Sequence, residues 1–145
     1  MKIRIYITTI LTSAGCSHLP AGAQQANFEW VKAIGGTGAD AVEAVAVDVN
    51  GNVYITGSFP VAGADFNPGG SGGAVTSAGG SDVFVAKYNG LGVFQWVKTM
   101  GGTGNDVGRR MIVDPSGNVY VAGYYAGTGT DFNPGGSGGA LTSAG

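Results

Sequence analysis

The sequence predicts an all-β chain built from repeated four-stranded antiparallel sheets. Three observations predict it: a glycine-rich, charge-poor composition, an internal repeat, and strands that are apolar on both faces. Glycine supplies 29 of 145 residues, against a usual share of about 7%. Charged residues make up 11% and apolar residues 43%. That mix is too apolar for a disordered chain and too rich in glycine for a helical bundle. It also lacks the basic footprint of a nucleic-acid binder and any acidic tail. A length of 145 residues suits one ordinary domain.

The repeat has a single fixed offset, the distance from Trp30 to Trp96. Trp30-Val31-Lys32 returns as Trp96-Val97-Lys98, Gly35-Gly36-Thr37-Gly38 as Gly101-Gly102-Thr103-Gly104, and Gly51-Asn52-Val53-Tyr54 as Gly117-Asn118-Val119-Tyr120. Asp65-Phe66-Asn67-Pro68 returns as Asp131-Phe132-Asn133-Pro134, and Thr76-Ser77-Ala78-Gly79 returns as Thr142 to Gly145. Between residues 30–79 and 96–145, 30 of 50 positions are identical without an insertion. The periods are 28–93 and 94–145, and a fixed period of this length marks a repeat architecture.

One period reads as four strands, at 42–48, 53–59, 83–88 and 93–99. Asn50-Gly51 and Asn89-Gly90 stand where hairpin turns are needed, and Asn-Gly is the strongest short hairpin signal because both residues can take positive φ. A glycine-rich stretch, 60–81, joins the second strand to the third. Ala44-Val45-Ala46-Val47 and Val83-Phe84-Val85-Ala86 do not alternate with polar residues. An antiparallel sheet apolar on both faces needs a neighbour on each side. Four-stranded sheets stacked face to face around an axis are the blades of a β-propeller. A β-solenoid needs parallel strands, which the tight hairpins forbid. The expected architecture is a partial β-propeller with one complete blade and part of a second.

The run from Asp48 to Lys98, with D-x-x-G-N-V-Y-x-x-G, D-F-N-P-G, T-S-A-G-G-S-D-x-F-V-A-K, W-V-K and G-G-T-G, resembles the bacterial β-propeller repeat family abbreviated SBBP. The resemblance extends over residues 28–145. It implies an exported or surface protein with a propeller fold. It brings no agreed enzymatic activity and therefore no catalytic residues.

The segment 1–23 has a different character. Lys2 and Arg4 give a positive start, residues 3–11 an apolar stretch, and Ala21-Gly22-Ala23 a small-x-small cleavage site, the layout of a secretory signal peptide. A second reading attaches lipid to Cys16, although Ser13 stands where such signals favour leucine. No stretch has the ~18 apolar residues of a membrane span. Cleavage after Ala23 would remove Cys16 and His18, the only cysteine and histidine, leaving residues 24–145 as the repeat array. Losing Lys2 and Arg4 would leave five basic residues against nine acidic, a net charge of −4. The secreted or cell-surface form then carries no thiol nucleophile and no imidazole base.

Candidate sites lie in the repeated motifs. Asp65 and Asn67, and again Asp131 and Asn133, place alternate side-chain oxygens ahead of a forced turn, as a calcium loop does. The bland alternative is an Asx-turn with the intervening Phe as anchor. Gly35 to Val42 fits the nonapeptide of calcium-binding β-rolls, but the next copy lies a whole period on, at Gly101. The expectation there is a tight turn between blades, with Asp40 and Asp106 capping backbone amides. Phe28 with Trp30, and Phe94 with Trp96, are expected to share a strand face and pack between blades. Arg109-Arg110 is expected to be a solvated edge or a cross-strand ion pair.

Two functions from different classes remain: a non-catalytic scaffold whose propeller binds protein or glycan, and a propeller hydrolase or lyase using acidic side chains. Acids that recur in each period are what turn positions look like, which favours the scaffold; a calcium-stabilised adhesin is a further alternative. The second sheet is expected to hold two strands, 108–114 and 119–125, because Gly145 matches Gly79, ahead of strand three. Further blades of a longer chain would be its partners, and alone it should aggregate or oligomerise. Phe28-Glu29-Trp30-Val31-Lys32 matches a fourth strand that lacks its first three, so it should be loosely held or lie against the first blade.

Overall fold

The computed structural model describes residues 3–10, 26–133 and 139–143, with side chains from residue 28 onward. The described residues are β-strands and turns. Ahead of the first blade, β1 (Ile3–Ile10) pairs with β2 (Ala26–Ile34). The centre of the fold is one antiparallel sheet of β3 (Ala41–Val47), β4 (Val53–Pro60), β7 (Ser81–Tyr88) and β8 (Phe94–Met100), hydrogen-bonded in that order. These lie within two residues of the strands the sequence predicts. Between β4 and β7 the glycine-rich stretch carries a short ladder, β5 (Ala64–Asp65) with β6 (Ala74–Val75). The second period repeats the start of this plan. Strands β9 (Val107–Val113) and β10 (Val119–Tyr124) form an antiparallel pair, and β11 (Thr130–Asp131) pairs with β12 (Ala140–Leu141).

The inner strands β4 and β7 are buried on both faces, as the apolar run of β7 demands, whereas in the apolar run of β3 Val45 and Val47 are 56% and 57% exposed on one face. On one face Val53, Ile55 and Phe59 of β4 and Phe84, Ala86 and Tyr88 of β7 cluster with Ile34, Ala64 and Phe66. On the other, Tyr54 and Val85, with Ala44, Ala46 and Trp96, meet Met111, Val113, Val119 and Val121 of the second sheet. Successive residues of β4 thus feed two different cores, and the sheets stack as neighbouring blades. Trp30 and Ile34 of β2 occupy on the first blade the place that Trp96 and Met100 of β8 occupy on the second. The fourth-strand segment at 28–32 therefore lies against the first blade.

The hairpin turns differ from the sequence reading. No described residue other than glycine has positive φ, so Asn50 and Asn89 do not take the left-handed conformation that a two-residue Asn-Gly turn requires. Instead the amide of Gly51 donates to the carbonyl of Asp48 at 3.0 Å and the amide of Asp48 to that of Asn52 at 3.0 Å. This is a type I turn closed by a bulge, with Gly51 at φ +78°. The same loop runs from Asn89 to Gly92 and from Asp114 to Gly117. In the second hairpin the left-handed residue is Gly92, two places beyond the predicted Gly90. The side chain at the first position fixes the turn: Asp48 Oδ1 accepts from the amides of Asn50 and Asn52, Asn89 Oδ1 from Leu91 and Val93, and Asp114 Oδ1 from Asn118.

Bulges correct a second expectation. The β7–β8 register steps from Lys87↔Trp96 to Tyr88↔Phe94, skipping Gln95. The extra residue puts Phe94 on the face of Tyr88, with ring centroids 5.9 Å apart, and Trp96 on the opposite face beside Tyr54 at 6.1 Å. Phe94 and Trp96 therefore do not share a face, although each packs against a buried cluster. The β1–β2 register skips Glu29, the residue matching Gln95. Bulges at Glu43 and Arg109 also match across the repeat. These recurring devices of the period bend and twist the sheet.

Candidate functional site

The loop from Asp65 to Gly73 joins a blade to the strand before it. The amide of Gly35, just beyond β2, donates to the carbonyl of Asp65 at 3.0 Å, and the amide of Asp65 returns a bond to Gly35 at 3.1 Å. Gly101, just beyond β8, pairs with Asp131 in the same way at 3.3 and 2.8 Å. Each loop is thus clipped to the turn that ends the preceding fourth strand. Phe66 is buried against Phe84, 4.5 Å between centroids, and Phe59, 6.3 Å. The Tyr88 hydroxyl donates to the Phe66 carbonyl at 2.7 Å. Burial pushes the Tyr88 phenol well above its ordinary pKa, and the nearby Asp65 carboxylate adds to the shift.

The proposed calcium ligands are brought together within each loop. Asp65 Oδ1 accepts the Asn67 amide at 2.8 Å, and Asp131 Oδ1 accepts the Asn133 amide at 2.7 Å. Both are Asx-turns. Asn67 Nδ2 donates to the Ser71 carbonyl, and Asn67 Oδ1 accepts from the Lys32 ammonium at 3.3 Å. The oxygen that a cation would take already faces a positive charge. Among the described residues no three His, Cys, Asp or Glu side chains are placed to share a metal ion. Lys32 also lies over the Tyr88 ring at 5.5 Å. It was not legible as a loop partner because it stands far from Asn67 in sequence, across the whole of β3 and β4.

Every one of the seven aspartates accepts a backbone amide. Besides the turn residues Asp48, Asp65, Asp114 and Asp131, Asp40 accepts from Gly36 and Asp106 from Gly102 and Ala126. The glycine motifs are the tight turns expected from the sequence, not β-roll sites. The seventh, Asp82, is buried and accepts from the Ala78 amide at 2.8 Å and the Ser77 hydroxyl at 3.2 Å. Burial raises the Asp82 carboxyl above the usual range, and the carboxylate of Asp106 adds to this. Asp48 and Asp114 shift the other way, held down chiefly by the side-chain amides of Asn52 and Asn118.

The remaining sequence candidates are at the surface. Arg109 and Arg110 are exposed on β9, with the Arg109 guanidinium 5.2 Å from the Tyr124 ring centre, in keeping with a solvated edge. Phe28 is 69% exposed, while Trp30 packs at 6.4 Å from Tyr88 and donates from Nε1 to the Gly90 carbonyl. A groove of about 370 Å³ beside β10 is lined by Val83, Met100, Val121 and Tyr124. A smaller cavity of about 280 Å³ has Ser77, Asp82, Thr99 and Asp131 in its wall. The predicted cleavage site at 21–23 and Cys16 lie outside the described residues. No described helix is long and apolar enough to cross a membrane.

A four-stranded sheet stacked on a two-stranded repeat of its first half, each clipped through a repeated loop, defines a propeller-type β-repeat protein. Residues 29–58 and 95–133, one stretch in each period, match the family described as Beta-propeller repeat. The chain is also 31% identical, over 109 residues, to an uncharacterized WD repeat-containing protein of Acanthamoeba polyphaga mimivirus. That match covers 70% of this chain and 8% of the relative, so the chain spans a small part of the relative's length. No solved structure gives a significant match.

Proposed function

We propose that the chain is a non-catalytic scaffold or binding module, exported through the leader at 1–23 to act outside the cell or on its surface. Its blades stand beside further blades of a longer propeller, and its loops present a surface to a protein or glycan ligand. The observation that carries this reading is the use of the aspartates. An acid-base pair needs two carboxyl groups free to approach substrate in unlike environments. Here all seven aspartates are committed to backbone amides, and the two glutamates, Glu29 and Glu43, are isolated on the exposed side of bulges.

The test pairs fractionation with binding. The chain produced from its own start should accumulate outside the cytoplasm, shortened by its leader. Applied to glycan and protein arrays, it should retain a ligand without converting it. Cytoplasmic retention at full length would remove the export half of the proposal. Turnover of a polysaccharide or peptide, lost on changing Asp82 to Asn, would replace the scaffold with the hydrolase or lyase reading.

A further inference from the structure

The pairing of β1 with β2 reproduces that of β7 with β8. β1 sets Tyr6 opposite Val31 and Ile7 opposite Trp30, then skips Glu29 and sets Thr8 opposite Phe28. One period on, β7 sets Ala86 opposite Val97 and Lys87 opposite Trp96, then skips Gln95 and sets Tyr88 opposite Phe94. Position for position, residues 3–8 of β1 stand on β2 where residues 83–88 of β7 stand on β8, bulge included. The two segments share no residue at any of these positions, and β1 lies in the leader, outside both periods. The register therefore comes from β2, whose paired edge is built to take the third strand of a blade.

We propose that β1 is a stand-in: it covers the edge of β2 until the leader is removed, and β2 then takes the third strand of another blade of the longer propeller. This deepens the scaffold reading above, from which it takes the removal of the leader and the further blades. An added strand gains main-chain hydrogen bonds from any open edge, and β1 supplies that ladder. It does not supply the core. The positions held in β7 by Phe84, Ala86 and Tyr88, all buried, are held in β1 by Arg4, Tyr6 and Thr8. A strand of the β7 type adds buried apolar surface to the same ladder, so it is the better occupant once the leader is gone. Until then the covered edge is closed to other chains.

Disulfide trapping in the whole 145-residue chain tests this, with Cys16→Ser removing the native thiol. The probe is a synthetic peptide of residues 80–90 carrying Ala86→Cys, and its target is Val31→Cys in β2, the counterpart of Val97. Opposite residues of an antiparallel pair lie about 4.5–5.5 Å apart, within the span of a disulfide. In glutathione buffer the peptide should couple poorly while β1 is in place. Ile5→Pro with Tyr6→Pro should raise the yield about tenfold or more, because one of two successive residues turns its amide to β2 and the free fraction of that edge grows. The processed chain, beginning at Gln24, should couple as the proline chain does. Lys32→Cys in place of Val31→Cys should couple little, being one step out of register. Tyr6→Cys with Val31→Cys should close a disulfide within the chain. Equal yields with and without β1, no coupling in the processed chain, coupling at Lys32→Cys as strong as at Val31→Cys, or a Tyr6→Cys, Val31→Cys chain that stays reduced would each overturn the proposal. Trapping is read on purified chain, so a leader never removed in the cell would sink the export reading and leave these yields unchanged.

Discussion

The amide of Ala126 donates to Oδ1 of Asp106 at 3.0 Å, and one period earlier the place of Ala126 is taken by Pro60, which has no amide hydrogen to give. Asp40, the counterpart of Asp106, is accordingly buried with its Oδ1 unpartnered among the described residues. Pro60→Ala should therefore stabilise the protein. A hydrogen bond to a charged group contributes about 1.5–3 kcal/mol, and losing the ring's restraint on the unfolded chain costs about 0.4–1 kcal/mol. The expected net gain is about 1 kcal/mol by denaturant unfolding. Ala126→Pro should do the reverse and cost about 2 kcal/mol, from the same loss of donor. A Pro60→Ala variant no more stable than the parent would show that Asp40 is satisfied in another way.

The two copies of the D-F-N-P loop should respond unequally to truncation. Phe66 is fully buried between Phe59 and Phe84, whereas Phe132 is 39% exposed and rests edge-on to Tyr125 at 5.2 Å. Removing a buried phenylalanine leaves a cavity, so Phe66→Ala should cost about 3–5 kcal/mol. Phe132→Ala should cost less than about 2 kcal/mol, since much of its surface is already wet. Equal losses at the two sites, read from chemical denaturation, would show that the anchor works through the loop backbone and not through the ring.

Most of the blade was legible because its signals are local and repeated. The runs around Tyr54 and Phe84, apolar on both faces, foretold inner strands buried on both sides, and the identity between periods foretold that the second sheet would follow the same plan. The bulges at Glu43, Gln95 and their repeat partners were not legible. A bulge adds one residue to a strand, and in a run apolar on both faces nothing in the pattern shows that the period-two count has slipped. The aromatic pair Phe94 and Trp96 was misplaced for that reason alone. The turn at Asn89 was misread because three candidates, Asn89, Gly90 and Gly92, stand together, and hydrogen bonding decides which glycine takes the left-handed position. The clip between Gly35 and Asp65 depends on a contact between successive blades, which no single window contains.

Calcium provides a direct check on the same loop. Were Asp65 and Asn67 ligands, binding to the folded state alone would raise the melting temperature by mass action. With Asp65 Oδ1 taken by an amide and Asn67 Oδ1 by Lys32, melts in millimolar calcium and in chelator should coincide. Asp65→Ala should instead lower stability by about 1 kcal/mol in both buffers, the usual cost of losing a side-chain acceptor for a turn amide. A calcium-dependent rise abolished by Asp65→Ala would restore the calcium-stabilised reading.

The pH dependence of folding should separate Asp82 from the hairpin aspartates. Asp82 has a folded pKa raised above 3.8, chiefly by burial. Its ionised form is less welcome in the folded protein than in the unfolded chain. The group therefore lowers stability as pH rises from 3.8 through the folded value, and the loss is complete above it. Asp48 runs the other way. Its folded pKa is lowered, chiefly by the Asn52 side chain, so the stability it contributes is present above 3.8 and disappears as pH falls through the folded value. Asp82→Asn keeps an acceptor for the Ala78 amide and removes the charge. Thermal melts from about pH 3 to pH 8 should show this variant equal to or above the parent at neutral pH, with its advantage fading toward about pH 4. Asp48→Asn should be the less stable of the two at neutral pH and should flatten the acid limb below about pH 4. An Asp82→Asn profile parallel to the parent across the whole range would mean that the folded carboxyl titrates as it does in the unfolded chain.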